Sequence, residues 1–184
     1  MAERDGTNTL DLPLARLLAV LHDVLQGLDA AQTQLRLPGA EGKWSIQQIV
    51  EHLLLTYGSS VQAMEARLDK GRPTQARVAW RQRLPRFFVL RLGVLPAGRQ
   101  APEAVRPGVP VEPQSGAMLL ERVDTALAQL DGMTQAVVAS FGPCRSVRHM
   151  VLGPMSPQEW LRFHEVHGRL HAGQIRAIRE AHGV

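Results

Sequence analysis

Apolar residues recur along this chain at spacings of three and four, which is the period of an amphipathic helix. The first stripe, rich in leucine, predicts a helix over residues 12–35 that ends at Pro38-Gly39. A second helix is predicted to begin at Ser45, because Ser45 and Gln48 have the spacing of a capping box. Its apolar stripe continues until Gly71-Arg72-Pro73, which is expected to end it.

The second half of the chain repeats this pattern twice. A third helix is predicted over residues 115–140, and a fourth begins at the capping box of Ser156 and Glu159 and continues to about residue 181. No segment shows a convincing strand pattern. Four long amphipathic helices without strands predict an all-α fold, a four-helix bundle.

The connection between the second and third main helices has a different character. Residues 76–95 are both apolar and basic, and Pro85 interrupts them, so a short or kinked basic helix is expected there. Residues 96–113 contain five prolines and are expected to form a long loop. Residues 72–113 therefore form a basic, proline-rich insert.

Composition changes this picture little. A length of 184 residues, 45% of them hydrophobic and 21% charged, suits a single globular domain over residues 1–184, with a flexible N-terminus over residues 1–10. That N-terminus lacks the apolar stretch of a signal peptide, and no window of about eighteen residues is uninterrupted by polar groups. Cys144 is the only cysteine, which excludes an intrachain disulfide. A cytoplasmic location is expected.

The net charge of +4 is concentrated in residues 67–106, which overlap most of the insert and carry ten Arg and Lys against two acids. Cations mixed with Trp80, Phe87 and Phe88 could serve a binding module for nucleic acid or a membrane. The preferred interpretation is a solvated arginine-rich surface, with Phe87 and Phe88 packing over the bundle. A nucleic-acid or membrane partner is therefore not expected.

Three histidines carry the candidate chemistry. His167 and His171 are four apart on the apolar face of the fourth helix, so their imidazoles lie on one side of it. His52 lies at the edge of the apolar stripe of the second helix. Facing helices of a bundle often build metal sites, and three imidazoles plus one open position is the pattern of an accessible metal site. A pair at this spacing is weak evidence alone, and the third histidine strengthens it.

Two blocks of the chain resemble the DinB-like superfamily: Trp44-Ser45 leading to Glu51-His52-Leu53, and His167-x-x-x-His171-x-Gly173-Gln174-Ile175. The resemblance implies a four-helix bundle with a divalent metal bound by His52, His167 and His171. It also implies a homodimer. Some members of this superfamily are metal-dependent transferases that use a low-molecular-weight thiol such as bacillithiol or mycothiol.

A metal in such a site would activate a water or a thiol, so we expect an enzyme of the thiol-transferase or hydrolase type acting on a small-molecule substrate. Zinc, nickel and iron all suit imidazole ligands. The alternatives are a non-catalytic metal-binding or stress-related bundle, and a binding module that uses the insert.

Three further side chains could assist the site. His164, three residues before His167, is the candidate catalytic residue, and could be a fourth ligand, a group that orients a ligand, or a general base. The preferred interpretation of His164 is nevertheless a partly buried side chain bonded to a backbone carbonyl. Gln48 and Gln174 are candidates for fixing the orientation of the imidazoles.

Overall fold

The computed structural model describes residues 10–39, 42–95, 100–110 and 112–184. Most of the predicted flexible N-terminus, and residues 96–99 and 111 of the predicted loop, lie outside the described residues. The elements in chain order are α1 Leu12–Leu25, α2 Ile46–Leu68, α3 Trp80–Arg86 with a π-helical extension Phe87–Leu92, α4 Gly116–Phe141, β1 Val147–His149, β2 Gly153–Met155 and α5 Pro157–His182. Two 3-10 turns, Gln32–Gln34 and Glu103–Val105, lie in the connections.

Helices α1, α2, α4 and α5 form the predicted all-α bundle. Helix α1 packs on α4 and α5, and α2 packs on α4 and α5. The apolar stripes meet in one core that includes Leu17, Leu53, Leu127 and Ile175. Among the described residues, the helices are too short or too polar for any of them to cross a bilayer.

Helix α1 ends earlier than predicted. Gln26 is extended and Gly27 has a φ of +78°, a conformation that ends a helix and that glycine adopts without strain. Leu28, which keeps the helical spacing, is nevertheless buried beyond this break. The prediction of one helix over residues 12–35 is therefore wrong for its second half.

A small hairpin precedes α5, so the expectation of no strand is also wrong. β1 and β2 pair antiparallel, with Val147 opposite Met155 and His149 opposite Gly153. Each strand has three residues, which is too short for an alternating pattern to be recognised.

The insert contains the expected short basic helix. Helix α3 includes Pro85 and continues as a π-helix that ends at Gly93, whose φ is +68°. Val89 is the buried apolar residue of this segment, whereas Phe87 and Phe88 are exposed. The interpretation that both phenylalanines pack over the bundle is wrong.

Candidate metal centre

The bundle brings His52 of α2 together with His167 and His171 of α5. The Nε2 atom of His167 lies 3.2 Å from Nε2 of His52 and 3.1 Å from Nε2 of His171. All three side chains are buried, and each offers a ligand atom within 4.8 Å of the others. Nitrogens about 2.0–2.1 Å from a tetrahedral metal are about 3.3 Å apart, so these separations suit a shared ion.

Hydrogen bonds at the opposite ring nitrogens determine which atoms face the centre. Nδ1 of His52 donates to the carbonyl oxygen of Val105 at 2.7 Å, and Nδ1 of His171 donates to Oε1 of Gln174 at 2.8 Å. Because these oxygens only accept, both protons lie on Nδ1 and both Nε2 atoms carry free lone pairs. His167 could donate a single proton from Nε2, so it can satisfy only one of them. This surplus of lone pairs fits a cation between the three rings.

Burial keeps the three imidazoles neutral. Burial lowers the pKa of His171 to about 4, helped by nearby His52 and opposed by the bond to Gln174. Burial also lowers the pKa of His52, against the bond to Val105. The pKa of His167 lies well below the usual value because of burial and then the neighbouring His171 and His52. Neutral imidazoles are the form that binds metal.

Aromatic rings enclose the centre. The ring of Phe163 lies nearly parallel to that of His167, with centroids 5.5 Å apart. The ring centroid of Trp44, which directly precedes the N-cap Ser45 of α2, lies 4.9 Å from that of His52. These apolar neighbours limit the access of water and thereby strengthen electrostatic interactions within the centre.

Of the two glutamines predicted to orient the imidazoles, one hydrogen-bonds to a histidine and the other does not. Gln174 holds His171, as predicted. Gln48 directs its hydrogen bonds elsewhere: its Oε1 accepts from the Ser45 amide at 3.1 Å, and its Nε2 donates to the carbonyl oxygen of Gly108 at 2.8 Å. The orienting partner of His52 is instead the backbone of Val105, which no residue type in the sequence could have indicated.

His164 lies outside the three-histidine cluster. Its side chain is 0% exposed, and its ring packs against Tyr57 and Trp160 with centroids 5.3 and 6.0 Å away. Neither ring nitrogen has a hydrogen-bond partner among the described residues, so the expected bond to a backbone carbonyl is not formed. Burial, with a smaller contribution from His149, lowers its pKa to about 3. The catalytic role of His164 remains a prediction.

Residues 14–175 match the protein family described as the DinB superfamily. No curated protein and no solved structure matches the chain. The matched range extends from α1 into α5 and contains His52, His167 and His171. Because the match covers most of the 184 residues, the chain belongs to the DinB superfamily.

Proposed function

We propose that this protein binds one divalent metal ion through His52, His167 and His171 and is a metal-dependent enzyme of the thiol-transferase or hydrolase type. The observation that carries this proposal is the convergence of three Nε2 atoms, two of which are held as lone-pair donors by bonds at Nδ1. Zinc, nickel and iron are the candidate ions, because imidazole suits all three.

The chemistry follows from the donor set. A divalent cation in this site would lower the pKa of a water or thiol beside it, so that a nucleophilic anion forms near neutral pH. Neutral histidines leave the charge of the cation uncancelled, and three protein ligands leave a fourth tetrahedral position for a reactant. Val105 and Gln174 keep His52 and His171 in their orientation, so no reorganisation is needed when the reactant arrives.

A small electrophilic molecule would be the substrate, and a low-molecular-weight thiol, as the family resemblance implies, would be the cosubstrate of a transferase. A homodimer and a cytoplasmic location stay predictions.

A non-catalytic metal site is the second candidate, and the burial of all three ligands favours it. Cobalt-loaded protein separates the two candidates. A thiol that reaches an open coordination position produces a thiolate-to-cobalt absorption band, whereas a closed site leaves the spectrum unchanged.

The first experiment measures metal content by mass spectrometry on untagged protein supplied with zinc, nickel or iron. We expect about one ion per chain, lost in a His167→Ala/His171→Ala double variant because one ligand cannot hold it. The control is His22→Ala, since His22 is exposed on α1. Wild-type protein that binds no metal, and whose thermal stability equals that of the double variant, would refute the proposal.

A further inference from the structure

Helix α3 and its π-helical extension expose a stripe of large apolar side chains, here called the outer face. Trp80, Leu84, Phe87 and Phe88 recur at the i, i+4, i+7 and i+8 positions of one helical face. Leu92 follows Phe88 by four within the π-helix, whose wider turn keeps it on the same side. The exposed fractions of these five are 83, 65, 51, 39 and 53%. Exposed apolar side chains aligned in this way mark an interaction surface.

The opposite side of this segment fixes its orientation. Gln82, Arg86 and Val89 are buried there. Nη1 of Arg86 donates to the carbonyl oxygens of Leu152 and Pro154, at 2.9 Å each, and Nη2 pairs with Glu159 of α5. Because the inner side is attached to the hairpin and to α5, the outer face cannot turn inward without breaking these bonds.

Positive charge surrounds the outer face. Arg81, Arg83 and Arg91 are exposed beside the apolar stripe. No acidic residue occurs between Asp69 and Glu103 in the sequence. An apolar stripe flanked by arginines complements a partner surface that has anionic groups on its outside and an apolar layer beneath them.

This combination discriminates between the possible occupants. In a two-fold symmetric contact with a second copy, the outer face would meet itself, and the segment between Asp69 and Glu103 offers no acidic residue to pair with its arginines. Single-stranded nucleic acid would use the aromatic rings and the arginines, but it offers nothing apolar to Leu84 and Leu92. The interface of an anionic bilayer accepts both parts, because leucine and aromatic side chains enter the acyl boundary while arginines reach the headgroups.

We propose that the outer face of α3 and its extension docks this protein on the surface of anionic lipid bilayers. This inference is independent of the metal centre, because His52, His167 and His171 lie on other helices. It also revises the interpretation of the insert as a merely solvated arginine surface.

The test is co-sedimentation of the full chain with vesicles of phosphatidylcholine alone or with phosphatidylcholine containing phosphatidylglycerol. We expect binding to the anionic vesicles only, with loss at high salt. A Leu84→Gln/Phe87→Gln variant and an Arg81→Gln/Arg83→Gln/Arg91→Gln variant should each bind at least about tenfold more weakly. The matched controls are Met118→Gln and Arg16→Gln, exposed residues of α4 and α1 that should bind like the wild type.

A second measurement needs no variant. Brominated anionic lipid should quench the tryptophan fluorescence of the wild type, since Trp80 is exposed on the outer face, whereas Trp160 is buried and Trp44 is half-buried against His52. Four results would overturn the proposal: no quenching, equal binding to neutral vesicles, unchanged binding of the outer-face variants, or binding of nucleic acid in place of vesicles. A dimer that the leucine and phenylalanine substitutions dissociate, with no vesicle binding, would identify the face as a subunit contact and would also overturn it.

Discussion

Replacing His164 with leucine should make the metal-free protein more resistant to acid. The imidazole is fully buried, and neither nitrogen has a hydrogen-bond partner within residues 10–39, 42–95, 100–110 and 112–184. The charged form therefore has nothing there to replace its lost hydration. The pKa is accordingly about 3 in the folded protein, against about 6.5 in an unfolded chain. The unfolded chain therefore binds the proton first as the pH falls. The contribution of neutral His164 to the free energy of unfolding is present in full above about pH 6.5 and is lost as the pH falls toward the folded-state pKa.

The magnitude follows from this gap. A pH of about 5 lies about 1.5 units below the unfolded-state pKa, and each unit corresponds to about 1.4 kcal/mol. His164 alone therefore lowers the free energy of unfolding at this pH by about 2 kcal/mol. The assay is urea unfolding with a chelator, at about pH 7.5 and about pH 5, for the wild type and His164→Leu. Other buried histidines are present in both proteins, so the difference between their two losses isolates His164. The variant should lose about 2 kcal/mol less.

Two results would contradict this reasoning. Equal losses in the two proteins would show that His164 has a partner that accommodates its charge in the folded state. A large loss of stability in the variant at about pH 7.5, above about 3 kcal/mol, would show that the neutral ring makes a hydrogen bond in the folded state, in addition to its packing against Tyr57 and Trp160.

Two further predictions concern α5. In Gly168→Ala the added Cβ would lie 2.2 Å from Cδ1 of Leu17, so the buried Leu17 side chain must leave its rotamer or the two helices must separate, and urea unfolding should show a loss of about 1–3 kcal/mol. Gly173→Ala is the matched control, because among the described residues no atom beyond the helix's own backbone lies within 4 Å of the added Cβ, and the substitution should add up to about 1 kcal/mol through helix propensity. Equal stability of the two variants would contradict the close contact at Gly168. Gln174→Leu removes the acceptor of His171 Nδ1 and should weaken metal binding by about 10–100-fold in a competition with a chromophoric chelator, whereas an unchanged Kd would exclude an orienting role.

Helix beginnings were predictable because caps are local chemistry. Ser45 and Ser156 each accept a hydrogen bond from the amide three residues later, and both capping boxes form. The end of α1 was not predictable from periodicity, because Leu28 continues the stripe after Gly27 has ended the helix. Apolar spacing reports which side chains are buried, and here a turn buries Leu28 without a helix.

The side chains of the candidate metal centre were predictable from the sequence, whereas its backbone contact was not. Helical spacing placed His167 beside His171, and the facing stripe of α2 supplied His52. The carbonyl of Val105 reaches His52 through the fold of the insert, and every residue carries the same carbonyl, so no sequence pattern marks it. The exposure of Phe87 escaped prediction for a related reason, because the inner side of α3 is held by the polar contacts of Arg86.

The hydrogen bond from His52 to Val105 couples the candidate metal centre to the insert, so a change in the stability of one changes that of the other. Val105 ends the 3-10 turn of the connection between α2 and α4, so this turn holds the imidazole in the orientation that a cation requires. Coupling between two sites is reciprocal. The free energy by which the intact turn strengthens cation binding is therefore equal to the free energy by which a bound cation stabilises the turn against local opening. Amide hydrogen exchange in residues 103–106 would therefore measure metal occupancy at a distance from the ligands themselves.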